Sequence, residues 1–179
     1  MEGETPIPPP RRTSATKAPP ATWTMRPQAV AIGVSTGGPT ALGEILPQLP
    51  ADFPLPVFIV QHMPPLFTRL VSERLQTSAK VKVVEASAGM EVQPGCVYIA
   101  PGDHHMRLQK SGGKTIVTLD QGPQENSCRP SVDVMFRAVE EIYGGAVISV
   151  ILTGMGYDGL RGAEILKTHG AYVIAQDEA

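Results

Sequence analysis

From Ala29 onward, short apolar runs alternate with stretches whose apolar residues recur at helical spacing. The first three runs, Ala29–Val34, Val57–Gln61 and Val81–Glu85, have the length of strands. The stretches between them, Pro39–Leu49 and Pro65–Ala79, predict helices. A β-α-β-α-β order is typical of a parallel sheet covered by helices on both faces. The sequence therefore predicts an α/β fold, a three-layer α/β/α domain with a mostly parallel, doubly wound sheet.

The middle of the chain departs from this alternation. Three further runs, Cys96–Ala100, Met106–Gln109 and Thr115–Leu119, predict strands, and Ser111–Gly113 predicts a turn between the last two. We expect these strands to form an antiparallel excursion, with a hairpin, at one edge of the sheet. A polar loop, Asp120–Arg129, follows.

The alternation then resumes. The segments are a helix from about Pro130, a strand Ala146–Leu152, a glycine-rich loop Thr153–Gly159, a helix to about His169 and a strand Ala171–Ala175. Because a fold of this kind usually covers its last strand with another element, we expect this sequence to lack its native C-terminus.

Residues 1–28 differ in composition from the rest. They hold seven of the chain's 18 prolines, and serine, threonine, alanine and basic residues fill the gaps. Such a stretch cannot pack a core, and it has no apolar region typical of a signal peptide. The predicted organisation is a proline-rich linker or tail over residues 1–28 and one domain over residues 29–179.

Charge, hydropathy and cysteine usage exclude several classes of protein. A net charge of −2 without a long basic run argues against nucleic acid as a partner. No apolar run approaches the roughly 18–20 residues that a membrane-spanning helix needs. Neither Cys96 nor Cys128 belongs to a CxxC pair, so we expect reduced thiols and a cytoplasmic protein.

The segment Gly33–Gly38 places Ser35 between a buried strand and a helix, with glycines on both sides. A tight turn there would lift the serine hydroxyl to the carboxyl edge of the sheet, near a helix N-terminus that favours an oxyanion. Taken alone, this pattern fits a phosphate-binding or purely structural loop as well as a nucleophile.

A serine nucleophile needs a base, and the candidates are His62, His104, His105 and His169. His62 directly follows the second predicted strand, and the carboxyl ends of parallel strands share one edge of the sheet. His169 lies at a predicted helix end and is expected to cap its carbonyls. His104 and His105 begin a predicted edge strand, and we expect one of them to face the site. The spacing favours His62 as the base.

Asp158 lies in the glycine-rich loop Thr153–Gly159, after another buried strand. Three strand ends thus supply a serine, a histidine and an aspartate, the set that nucleophile, general base and imidazole-orienting group require. The alternative role for Asp158 is the N-cap of the following helix. Asp133 is the rival carboxylate, but it lies off the apolar face of its helix and in its first turn, which favours a dipole-stabilising role.

Two other interpretations of the serine loop fail on pattern. The chain order is serine, histidine, aspartate, whereas α/β-hydrolases place the acid before the histidine, so the G-x-S-x-G match does not indicate that fold. A nucleotide-binding module would need G-x-G-x-x-G or a following GK[ST], and neither is present.

Five blocks of the sequence resemble the chemotaxis protein-glutamate methylesterase family, in order and without large gaps from Ala29 to Ala179. The blocks are Ile32–Leu42, Val60–Pro64, Tyr98–Met106, Arg129–Phe136 and Ile151–Ala163. The resemblance implies a Ser-His-Asp triad formed by Ser35, His62 and Asp158. It also implies that Thr36 and Met155 shape the site, Met155 through its backbone N–H in an oxyanion hole.

The activity implied by this resemblance is hydrolysis of glutamate methyl esters on methyl-accepting chemotaxis receptors, with release of methanol, and deamidation of receptor glutamines. No metal or organic cofactor and no membrane insertion are expected. Family members usually carry a receiver domain at the N-terminus and continue past the equivalent of Ala179. The proline-rich head resembles the linker to such a domain.

Two alternatives stay open on the sequence alone. The triad residues would equally serve a generic hydrolase of small esters. A catalytically dead interaction domain is the other alternative, against which the intact serine, histidine and aspartate argue.

Overall fold

The computed structural model describes residues 25–177 of the 179-residue chain. The predicted tail lies outside the described residues up to residue 24, as do the last two residues of the predicted domain. In chain order the strands are β1 (Ala29–Val34), β2 (Val57–Gln61), β3 (Lys82–Glu85), β4 (Cys96–Ile99), β5 (His105–Ser111), β6 (Lys114–Asp120), β7 (Val147–Ile151) and β8 (Tyr172–Ala175). The helices are α1 (Gly38–Ile45), which continues into a 3-10 turn (Leu46–Gln48), α2 (Phe67–Ser78), α3 (Val132–Tyr143) and α4 (Leu160–Thr168).

Six of the strands form one sheet in the order β3-β4-β2-β1-β7-β8, and every neighbouring pair is parallel. On one side of β1 the chain adds β2, then the edge strand β3, and then β4 between those two; it returns to place β7 on the other side of β1. The switch in direction therefore lies between β1 and β7, and ligands of open parallel sheets bind beside the carboxyl ends of such strands.

The predicted α/β class and three-layer arrangement are confirmed, and the predicted helices and strands are present with small differences at their ends. The prediction that the strand at Cys96–Ala100 belongs to an antiparallel excursion at the edge of the sheet was wrong. That strand, β4, lies inside the parallel sheet between β3 and β2. The antiparallel hairpin is β5 and β6 alone, which form a separate two-stranded sheet.

Helices cover both faces of the parallel sheet. On one face, Leu42 and Leu75 from α1 and α2 pack in a cluster with Ile59 of β2. On the other face, α3, α4 and the hairpin form the layer, and Phe136 of α3 packs in a cluster with Phe58 of β2. The hairpin thus closes the core beside α3 instead of extending the sheet. None of the helices within residues 25–177 is long and apolar enough to cross a membrane.

The loop after β4 packs closely on the loop that leads from β2 into α2. A Cβ added at Gly102 would lie 2.3 Å from the backbone nitrogen of Pro65 and 2.6 Å from the carbonyl carbon of Pro64. Because these are backbone atoms, neither can rotate away. We expect Gly102→Ala to lower the free energy of unfolding by about 1–3 kcal/mol, the usual cost of overpacking, as measured by urea denaturation.

Gly43 offers a matched control within α1. It is exposed, and an added Cβ meets no atom within 4 Å. Gly43→Ala should raise the free energy of unfolding by up to about 1 kcal/mol, because alanine favours a helix over glycine. An equal effect of the two substitutions would contradict the close packing of the two loops.

Candidate active site

Three neighbouring strands deliver the serine, the histidine and the aspartate to one edge of the sheet. Ser35 follows β1, His62 follows β2, and Asp158 lies in the loop after β7. Together with Met155, they line one cavity of about 80 Å³. The structure thus brings the three predicted side chains to the same place.

The turn that carries Ser35 is held from both sides. The backbone N–H of Ser35 donates to the carbonyl of Thr153, after β7, at 3.0 Å. The Ser35 carbonyl accepts from the N–H of Gly38 at 2.9 Å, where α1 begins. Gly154 passes so close that an added Cβ would lie 2.7 Å from the Cβ of Ser35. The loop after β7 therefore needs glycine at this position to reach the serine.

The buried side chain of Gln61, the last residue of β2, joins the serine turn to the histidine. Its Nε2 donates to the carbonyl of Ser35 at 2.9 Å and to that of His62 at 3.2 Å. Its Oε1 has no hydrogen-bond partner among the described residues and lies against Gly38, where an added Cβ would be 1.8 Å away. The amide thus positions two of the three predicted catalytic residues relative to each other.

His62 and Asp158 are in direct contact. The ring Nε2 of His62 lies 2.7 Å from Oδ2 of Asp158, and the two side chains are 18% and 4% exposed. Because an ionised carboxylate only accepts hydrogen bonds, Nε2 carries the hydrogen and Nδ1 is the free nitrogen of the neutral ring. Within residues 25–177, the Ser35 hydroxyl makes no hydrogen bond to this ring.

The carboxylate of Asp158 sits on the N-terminus of α3. Besides His62, it accepts hydrogen bonds from four groups: the Ser131 hydroxyl (2.7 Å), the Asn126 amide (3.0 Å) and the backbone N–H groups of Val132 (2.7 Å) and Asp133 (3.2 Å). The first turn of a helix offers free N–H groups and a positive dipole end to an anion. Asp158 therefore occupies a preformed anion site.

These contacts decide the charge of Asp158. Burial by itself raises the pKa of the carboxyl, but the hydrogen bonds from His62, Ser131, Val132 and Asn126 outweigh it and lower the pKa to about 2. The group is thus a carboxylate throughout the neutral range.

The structure corrects both sequence-based alternatives for the acids. The N-cap of α4 is Gly159, and Asp158 instead accepts from backbone N–H groups in the first turn of α3, whose N-cap is Ser131. Asp133 is fully buried rather than off the packed face, and its Oδ1 accepts from the N–H of Gly162 in the first turn of α4 at 2.6 Å. The first turn of each helix therefore donates to an aspartate: that of α3 to Asp158, from the loop before α4, and that of α4 to Asp133, from α3.

The other three histidines lie outside the cavity. His105 is buried, with Nε2 hydrogen-bonded to the carbonyl of Pro123 at 2.9 Å and Nδ1 accepting from the N–H of Ser131 at 3.3 Å. The ring of His104 contacts its own turn, and that of His169 pairs with the carboxylate of Glu140 instead of helix carbonyls. The expectation that His104 or His105 faces the site was wrong.

Thr36 and Met155 occupy different positions at the site. Met155 lines the cavity with its side chain 88% exposed, whereas Thr36 does not line it. The carbonyl of Thr36 accepts from the hydroxyl of Thr153 at 2.8 Å, which joins the two loops. Among residues 25–177, neither the N–H of Thr36 nor that of Met155 has a hydrogen-bond partner.

Sequence reasoning missed four residues at the site: Gln61, Asn126, Cys128 and Ser131. The sulfur of Cys128 lies 4.0 Å from Nδ1 of His62, and the His62, Cys128 and Asp158 donor atoms lie within 4.8 Å of one another. A serine before a helical pattern signals an N-cap, which is the position of Ser131 in α3. No sequence pattern in the polar loop Asp120–Arg129 indicates that Asn126 or Cys128 lies at the site.

Comparison with known proteins follows this geometry. The chain is 47% identical over 156 residues to a protein-glutamate methylesterase/protein-glutamine glutaminase of Maricaulis maris, covering 87% of this chain and 39% of that protein. It is 49% identical over 149 residues to the Thermotoga maritima protein of the same name, covering 83% of this chain and 43% of that protein. The chain thus spans less than half the length of these two relatives.

The solved structure of the Thermotoga maritima CheB methylesterase catalytic domain superposes with a TM-score of 0.83 at 47% identity, covering 86% of this chain and 82% of that one. The family model for CheB methylesterase matches residues 30–179. The chain therefore belongs to the CheB methylesterase family.

Proposed function

We propose that residues 29–179 form a catalytic domain that hydrolyses glutamate methyl esters on chemotaxis receptors and releases methanol. The same site would deamidate receptor glutamines and release ammonia. The observation that carries this proposal is the shared cavity of Ser35, His62 and Asp158, with a 2.7 Å contact between the last two. The names of the relatives support the choice of reaction.

In the proposed reaction, the Ser35 hydroxyl attacks the side-chain carbonyl carbon of the methyl ester while Nδ1 of His62 takes the hydroxyl proton. The tetrahedral intermediate then collapses: the bond from its carbon to the methoxy oxygen breaks, the imidazolium protonates that oxygen, methanol leaves, and the acyl group remains on Ser35 as an ester. Water, activated by the same nitrogen, hydrolyses that ester and restores Ser35. The missing serine–histidine hydrogen bond is compatible with this role, because such bonds often tighten only in the complex with substrate.

Asp158 would act on the ring and never on the substrate. As a carboxylate in contact with Nε2–H, it fixes the tautomer of the neutral ring, with the lone pair on Nδ1, and it stabilises the positive ring that forms during attack. Its four other hydrogen bonds hold it still while this charge develops. The unpartnered N–H groups of Thr36 and Met155 would bind the oxyanion, a role for which free, fixed donors are most effective.

The rim of the site favours a protein substrate over a small ester. The loops that carry His62 and Asp158 lead into exposed apolar side chains: Leu66 is 67%, Phe67 54% and Tyr157 81% exposed. Adjoining exposed apolar groups, such as the consecutive Leu66 and Phe67, mark surfaces that contact other proteins. A cavity of about 80 Å³ admits little more than an ester group at the end of a side chain.

The remaining partners follow from the same proposal. The receptors are the protein substrates, and a receiver domain of the same signalling system is the regulatory partner. We place the reaction in the cytoplasm, because Cys96 and Cys128 are both free thiols, as is usual in a reducing compartment.

Ser35→Ala should leave a folded protein that has lost methanol release from methylated receptor. Removal of a triad serine lowers the rate about 10⁶-fold, because without the nucleophile no acyl-enzyme can form. The measurement is methanol released per unit time at saturating receptor, with circular dichroism as the check on folding.

Ser111→Ala is the matched control, since Ser111 is exposed at the tip of the hairpin. This variant should release methanol at the original rate. Substantial activity in Ser35→Ala would overturn the assignment of the nucleophile. Cleavage of small esters without any release from receptor would favour the generic hydrolase.

Asp158→Asn should lose stability in a pH-dependent way. The folded pKa of Asp158, about 2, lies below the ordinary value, so its stabilising contribution is complete above about pH 4 and disappears as pH falls through about 2. This shift corresponds to about 2 kcal/mol. We expect the variant to be less stable by about that amount at pH 7 in urea denaturation, with the difference narrowing below about pH 4.

The same variant should lose about 10⁴-fold in kcat, as a triad does when an amide replaces its carboxylate. Asp52→Asn changes an exposed carboxylate in the loop before β2, at the opposite edge of the sheet, and should keep full activity. A stability difference that stays constant from pH 7 to pH 2 would contradict the carboxylate's place on the N-terminus of α3.

A further inference from the structure

We propose that Nδ1 of His62 and the sulfur of Cys128 form a binding site for a borderline-soft divalent cation such as Zn²⁺, and that its occupation inhibits the enzyme. Binding follows from the geometry of the two side chains. The inhibition rests on the function proposed above.

The separation of the two donor atoms suits one ion. Zinc lies about 2.3 Å from a cysteine sulfur and about 2.0–2.1 Å from an imidazole nitrogen, which puts the two donors about 3.6 Å apart at a tetrahedral angle. The observed distance is 4.0 Å. A small rotation of the cysteine side chain closes the difference, and imidazole with thiolate is a donor pair that Zn²⁺ prefers.

Asp158 prepares the histidine for this ion without binding it. A metal-binding histidine commonly donates its other ring N–H to a carboxylate, which fixes the ring and directs the free nitrogen. His62 already makes this contact through Nε2 at 2.7 Å. The carboxylate has about four lone-pair sites and accepts five hydrogen bonds, so it has no site left for the cation.

The loop that carries Cys128 is fixed in the structure. Glu125 and Cys128 exchange two backbone hydrogen bonds, of 3.1 and 2.9 Å, across a turn in which Asn126 and Ser127 adopt φ angles of 52° and 61°. The side chain of Glu125 is held by an ion pair with Arg137 of α3. The thiol is therefore preorganised beside the histidine, and it is partly exposed, so that an ion can reach it.

Occupation of the site would block catalysis directly. The cation forms a bond with the lone pair of Nδ1, which is the lone pair that must accept the Ser35 proton. The thiol gives up its proton to solvent as the metal–sulfur bond forms, because a coordinated thiol is deprotonated. The Ser35 hydroxyl or water would complete the coordination shell. Removal of the metal by a chelator restores the free nitrogen.

The test uses the protein without an affinity tag, titrated with Co²⁺ for absorption spectra and with Zn²⁺ for calorimetry and methanol release. We expect a thiolate-to-cobalt charge-transfer band, and inhibition by Zn²⁺ that EDTA reverses. Cys128→Ser should lose the band and bind Zn²⁺ at least about tenfold more weakly. The inhibition of each variant is expressed relative to its own metal-free activity.

His169→Gln is the control for adventitious binding, because His169 is half exposed and pairs with Glu140 on the surface. This variant should keep the cobalt band and the original zinc affinity. Equal zinc affinity and inhibition in Cys128→Ser and the unaltered protein would overturn the proposed site. If the metal-free protein releases no methanol, the proposed function fails, while the cobalt band still decides whether the site exists.

Discussion

The contact between the Asp158 carboxylate and the N-terminus of α3 is the interaction on which the site depends. It places a buried negative charge where two backbone N–H groups, a hydroxyl and an amide stabilise it, and the carboxylate Oδ2, which accepts from the N–H of Val132, also contacts His62. Burial raises the pKa of this carboxyl, but the hydrogen bonds from His62, Ser131, Val132 and Asn126 lower it, so the group stays ionised and can orient the imidazole. In turn, the carboxylate of Asp133, in α3, accepts a hydrogen bond from the N–H of Gly162 in the first turn of α4. Helix α3 and the segment that carries Asp158 and α4 are therefore joined by hydrogen bonds in both directions.

The parallel sheet explains why these groups meet. β1 lies between β2 and β7, so the serine turn occupies the centre of the edge, with the histidine on one side and the aspartate on the other. Hydrogen bonds from the Ser35 N–H to Thr153 and from the His62 N–H to the Val34 carbonyl continue the strand pairing into the loops. The register of the strands thus sets the relative positions of the site residues, and residues positioned by a sheet are held more precisely than residues on a free loop.

A feature of the fold or the site could be predicted from the sequence where a local pattern of residues indicates it, and could not where it depends on packing between distant segments. Ser35, His62 and Asp158 each follow an apolar strand, and parallel strands share an edge, so local pattern and one topological rule sufficed. The sheet partners of β4 have no local signal, because a short apolar run before a hairpin fits an antiparallel excursion equally well. Asp133 lies off the apolar face of α3, and the period of that helix does not reveal that α4 packs there and buries the carboxylate. Cys128 lies in an aperiodic loop that reaches the site only through its packing on α3.

The hydrogen bond from His62 to Asp158 fixes the imidazole ring, and this fixed ring accounts both for general-base catalysis and for the cation site that we propose with Cys128. Asp158 holds the ring hydrogen of His62 on Nε2 and so leaves the lone pair on Nδ1, the ring nitrogen beside the sulfur of Cys128. A lone pair fixed in this way accepts a proton readily, and it binds a cation equally readily when a second soft donor stands 4.0 Å away. The fixed position of the His62 ring, which favours general-base catalysis, therefore also makes the site sensitive to inhibition by a metal ion. Whether a metal ion binds depends on the side chain at position 128.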